Sequence, residues 1–134
     1  MPESSPERAD GLSTAAQISN HVVKTMSAYT GRGPTKAWTS MDSELISVVL
    51  RETLTKGERS LIADNRVQLV LDMRRAYQAT MREELVAGIE QISGRKVIAF
   101  LSDNHIDPDV AVESFVLEPR EPLHSAPNPA PIAG

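Results

Sequence analysis

Two short segments hold most of the side chains that could bind or react. Asp103-Asn104-His105-Ile106-Asp107-Pro108-Asp109 follows the apolar run Val97-Ile98-Ala99-Phe100-Leu101, and Gly31-Arg32-Gly33-Pro34-Thr35-Lys36 mixes glycines, cations and a hydroxyl. In extended backbone Asp103, His105, Asp107 and Asp109 would share one face. Carboxylates beside an imidazole suit a hard or borderline divalent cation. An EF-hand would need Gly and Glu where this chain has Pro108 and Ser114. The same residues also read as turn chemistry, since Asp and Asn bond their own backbone and Pro108 fixes one φ, or as a polar surface for a partner. No metal ligand is assigned. Asp103, Asn104, His105, Asp107 and Asp109 stand as candidates for partner or ligand binding.

In the earlier segment, consecutive amides of a glycine-rich turn could cradle an anion, with Arg32 and Lys36 supplying charge. It is not a Walker A loop, because the spacing is absent and a strand follows it instead of a helix. The alternative is a helix C-cap and a proline-fixed turn that need the glycines for backbone reasons alone. Gly31, Arg32, Gly33, Thr35 and Lys36 are the candidates for anion or partner binding.

No catalytic set accompanies them. Ser102 near His105 lacks a strand–elbow–helix setting, and His21 and His124 stand alone. Asp72-Arg74-Arg75 and Arg82-Glu83-Glu84 have the spacing of helix-surface ion pairs. Trp38, the only Trp, reads as a core residue on a strand. The expectation is a non-enzyme with no cofactor.

The elements that position these residues can be read from pattern. Ser13 or Thr14 caps a first helix, Ile18, Val22, Met26 and Tyr29 form its apolar stripe, and Gly31 ends it. Thr35 to Met41 and Leu45 to Leu50 read as a hairpin about Met41-Asp42-Ser43. Thr55-Lys56-Gly57-Glu58 is a capping box, and Asp64-Asn65 offers a break and a second cap. Val70, Met73, Tyr77, Met81, Leu85, Ile89 and Ile92 then keep helical spacing. They predict one helix over 65–92, roughly 42 Å long at about 1.5 Å per residue. Gly94 stops it, and Arg95 and Lys96 suit its negative end. A strand over 97–102, a polar loop and a last strand from about 111 to 117 complete the chain.

This order (helix, hairpin, helices, hairpin) predicts an α+β fold: an antiparallel or mixed four-stranded sheet with one long helix packed on it. The domain is expected over 13–118, with disordered tails at 1–12 and 119–134, the latter proline-rich. A helix of ~42 Å overhangs a domain whose radius of gyration is near ~13 Å, so a homodimer is expected.

The 134 residues carry a net charge of -4, which argues against nucleic acid and anionic lipid as partners. The absence of cysteine suits a reducing compartment. No apolar stretch approaches the ~20 residues that span a bilayer, and no signal peptide opens the chain. A cytoplasmic protein without direct membrane insertion is expected.

Together Gly31-Arg32-Gly33-Pro34-Thr35-Lys36, Leu54-Thr55-Lys56-Gly57-Glu58, Met73-Arg74-Arg75-Ala76-Tyr77-Gln78 and the run from Gly94 to Asp109 resemble the MpsC family, the C component of a sodium-translocating, membrane-potential-generating system. The similarity covers about 18–118. It implies an accessory or regulatory protein tied to membrane systems for sodium, membrane potential or inorganic carbon, with a membrane transporter subunit as a possible partner. It supplies no catalytic residues. The leading expectation is a non-catalytic protein that acts by docking. The alternative is a sensor or enzyme that holds a small anionic ligand between the Gly31–Lys36 and Asp103–Asp109 loops, and it requires both loops to meet at one concave site.

Overall fold

The computed structural model describes residues 12–120. Helix α1 (Thr14–Thr30) starts where the Ser13 hydroxyl accepts from the Ala16 amide, and it ends at Gly31, whose φ of 85° is left-handed. Strands β1 (Lys36–Met41) and β2 (Leu45–Arg51) form the first hairpin. Helix α2 (Lys56–Ala63) opens on the capping box of Thr55 and Glu58. Helix α3 (Val67–Ser93) runs 27 residues to Gly94, about 40 Å. Strands β3 (Val97–His105) and β4 (Val110–Leu117) form the second hairpin. The terminal segments expected to be disordered, apart from Leu12, Pro119 and Arg120, lie outside the described residues, as does His124.

All strand pairings are antiparallel, in the order β1-β2-β4-β3, so the two hairpins join through their second strands. Alternation along the pleat sends Ile46, Val48 and Leu50 of β2 and Ala111, Phe115 and Leu117 of β4 toward α1 and α3, where Ile18, Val22, Leu85 and Ile89 meet them. Burying each such large side chain stabilises by about 1.5–3 kcal/mol. Phe100 of β3 joins this core, its ring centroid 5.1 Å from that of Phe115.

Several details differ from the sequence reading. Strand β3 continues to His105, so Asp103, Asn104 and His105 lie on a strand and not in the loop. The pleat then separates them, turning Asn104 inward and Asp103 and His105 outward, as their exposure shows. The break before α3 contains Asn65 with a left-handed φ of 62°, and the N-cap is Arg66, which makes no side-chain capping bond. Trp38 is not core: it stands 48% exposed on the uncovered sheet face, beneath the Arg51 guanidinium. Tyr29 sits at the edge of its stripe and donates its hydroxyl to Glu84.

Candidate functional site

The connection from β2 to α2 turns at Glu52, whose φ is 58°, and then carries Thr53 and Leu54 across the end of the sheet. This segment needs partners for its backbone, and two charged side chains supply them. Asp109, just before β4, accepts from the Thr53 amide at 3.0 Å, the Thr53 hydroxyl at 2.7 Å and the Leu54 amide at 3.0 Å. Arg74 of α3 donates to the Thr53 carbonyl at 2.8 Å and the Thr53 hydroxyl oxygen at 2.9 Å. It also donates to Asn104 Oδ1 at 3.0 Å and to both Glu58 oxygens, at 2.9 and 2.7 Å.

A guanidinium has five N–H donors, and here each has an acceptor. The side chains of Arg74 and Glu58 are 13% and 8% exposed, so this is a buried, bidentate ion pair. Burial works to raise the Glu58 pKa, but the hydrogen bonds from Arg74 and the Thr55 amide, with the Arg74 charge, hold it below its ordinary value. Asp109 behaves alike: burial is outweighed by the Leu54 and Thr53 donors and the Arg74 charge, and its pKa is lowered.

Beside this clasp lies a cavity of about 130 Å³. Its apolar walls include Met26, Leu50, Met73 and Met81, with Tyr77 among the lining residues and 37% exposed. Arg32 and Pro34 from the glycine-rich turn and Asn104 from the second candidate segment line the same cavity. So does Glu113, on the inward face of β4. It is 0% exposed, and neither carboxylate oxygen has a hydrogen-bond partner. Its cross-strand neighbour Ser102 is likewise unpartnered at Oγ. Burial pushes the Glu113 carboxyl up to about 7, against the Arg74 charge and a Ser102 hydroxyl that is near enough to favour the ionised form but stands outside hydrogen-bonding geometry.

The structure divides the candidate residues of each segment. Arg32 reaches inward and donates to the Glu52 and Leu54 carbonyls at 3.0 and 3.3 Å. Gly31 caps α1, and Gly33 lies so close to the helix that an added Cβ would come within 2.9 Å of the Val23 carbonyl. Thr35 and Lys36 point elsewhere, to the exposed Glu52 carboxylate. In the second segment Asn104 faces the cavity and Asp109 fastens the Thr53 turn. Asp103 accepts from the Asn104 amide, and His105 Nδ1 lies 2.9 Å from the Pro108 carbonyl. Asp107, which precedes Pro108 in a cis peptide, is exposed. Among the described residues no group of three or more His, Asp or Glu is placed to hold a metal ion.

Three of the most telling residues were missed by sequence reading. Arg74 belongs to a cluster that reads as surface pairs, and its neighbour Arg75 does pair on the surface with Asp72, at 3.0 Å. Arg74 itself turns inward. Glu58 is legible as a cap but not as an ion-pair partner. Glu113 had a usable signal: it is the one carboxylate between Ala111 and Leu117 on a strand apolar on both faces, at an inward position of the pleat.

A family model described as Na+-translocating membrane potential-generating system (MpsC) matches residues 12–119. No curated protein matches the chain, and no solved structure does. Among the described residues no helix is long and apolar enough to cross a membrane.

Proposed function

Because the chain belongs to the MpsC family of the Na+-translocating, membrane-potential-generating system, we propose that it serves such a system as a non-catalytic regulatory protein that binds a small ligand. The observation that carries this reading is the convergence of Arg32 and Asn104, from two distant segments, on one cavity that a buried, unpartnered carboxylate also lines. An unpaired polar group inside a protein is costly, and a site that stays competent to bind is one reason to retain it. Filling the cavity tests the reading. Ala111 is 3% exposed and lines it. In cells whose only copy carries Ala111→Leu, membrane potential measured with a potential-sensitive dye should match that of cells lacking the protein. An unchanged potential, with the variant folded and as abundant as the parent, would refute the cavity as the working site.

Docking has its own supporting observation, and its occupant would be a second copy. The sheet face away from α1 and α3 exposes Trp38, Leu45 and Leu101 at 48%, 39% and 59%. Lys36 and Arg51 lie toward its β1 edge and Asp103 on its β3 edge. A two-fold axis along the strands would lay the basic edge of one copy over the acidic edge of the other. Light scattering should then give a dimer for the parent and a monomer for Leu101→Glu. A monomeric parent at micromolar concentration would remove this second reading.

A further inference from the structure

We infer that the cavity takes a small organic cation, a primary ammonium group on a short apolar body, with the ammonium seated on Glu113. This rests on the cavity being the ligand site. The charged residues lining the cavity are Arg32, Glu58, Arg74 and Glu113. Arg74 has committed every donor, and Glu58 is its ion-pair partner, so that pair offers an incoming anion nothing. Arg32 commits Nη1 to two backbone carbonyls and is only partly buried, so its remaining N–H groups belong to the solvated side of the cavity lining rather than to the buried interior beside Glu113. Among the described residues, the buried side-chain atoms left unpaired are both carboxylate oxygens of Glu113 and Ser102 Oγ beside them. Of these unpaired groups only the Ser102 hydroxyl can donate, so acceptors outnumber donors; such a site selects a ligand that brings N–H groups, and an ionised carboxylate favours one that also brings positive charge.

The walls determine the rest of the ligand. Met26, Met73, Met81 and Leu50 offer apolar, adaptable contact that suits a hydrocarbon body, while Thr30, Thr55, Tyr77 and Gln78 add polar groups to the lining. An inorganic cation would want about six oxygen ligands. For size, the volume of about 130 Å³ is close to the ~150 Å³ known to hold benzene, so a body of about five carbons fits. The raised pKa of Glu113 is consistent with a carboxylate that lacks its counter-ion in the empty protein.

The test uses the full chain at pH 8 with three probes of nearly equal size: pentylammonium chloride, 1-pentanol and sodium pentanoate. Pentylammonium should bind at least tenfold tighter than pentanol by titration calorimetry, and pentanoate should bind more weakly than either. Glu113→Gln should weaken pentylammonium at least tenfold while leaving pentanol within about twofold. Pentanoate binding best, or pentylammonium indifferent to Glu113→Gln, overturns the ligand class. It leaves the cavity reading intact, provided Ala111→Leu abolishes the binding seen. A parent that binds none of the three overturns both. Sodium chloride raising Tm above choline chloride at equal ionic strength, in the parent but not in Glu113→Gln, would show an inorganic cation at the site and also overturn the inference.

Discussion

Replacing Glu113 by Gln removes one ionisable group from a site that is 0% exposed and otherwise keeps its shape. In the folded parent the carboxyl titrates at about 7, against 4.5 when unperturbed. Between those values the folded chain holds a proton that the unfolded chain has released, so stability falls as pH rises through this window and levels off above about 8. At about 1.4 kcal/mol per pH unit the full loss is about 3 kcal/mol. Most of it, about 2–3 kcal/mol, lies between pH 5 and 8, because the unfolded carboxyl is already partly ionised at pH 5. Glu113→Gln has no such term. Glu58 and Asp109 have lowered pKa values and the opposite slope, but they are common to both proteins and cancel in the difference. Urea denaturation of both chains at pH 5, 6, 7 and 8 measures it. The stability of Glu113→Gln relative to the parent should rise by about 2–3 kcal/mol across the series, or about 10 °C in Tm. Whatever the buried amide costs is a constant offset. Parallel curves would refute the claim that an unpaired carboxylate is buried on β4.

Arg74→Met should destabilise by about 3 kcal/mol or more in chemical denaturation, since it strands the buried Glu58 carboxylate and frees the Thr53 carbonyl. Arg74→Lys should recover less than half of that, because one ammonium cannot reproduce the fork. Asp109→Asn should lose about 1–2 kcal/mol at pH 7, because both Asp109 oxygens accept in the parent and an amide keeps only one acceptor oxygen. That difference should shrink as acid protonates Asp109 in the parent, whereas the exposed Asp103→Asn should stay within about 0.5 kcal/mol. An added methyl at Gly88 would strike the His21 ring, so Gly88→Ala should lower Tm by several degrees. Gly57→Ala meets nothing nearer than 4.0 Å and should gain about 0.5 kcal/mol of helix propensity; heat denaturation followed by circular dichroism checks both.

The sequence alone determined whatever depends on neighbours along the chain. Hydrophobic spacing marked α3 from Val70 to Ile92, Gly31 and Gly94 marked the helix ends, and the Thr55–Glu58 capping box marked the start of α2, because each is decided within one or two turns. The α+β class followed from element order, and the family resemblance from short motifs. Tertiary structure decided which hairpin edges meet, since β2 could pair with either strand of the second hairpin as far as pattern goes. It also decided the site. Arg74 lies 16 residues from Glu58 and 30 from Asn104 along the chain, and no local rule states that a helix-surface arginine turns inward to hold them. The pleat that parted Asn104 from Asp103 and His105 followed from β3 running on past Ser102, an extension stabilised by pairing with β4. Glu113 carried its anomaly in the sequence as a lone carboxylate on an apolar strand. That it has no partner follows only from the fold, because whether a charge is satisfied depends on what long-range packing brings within hydrogen-bonding distance.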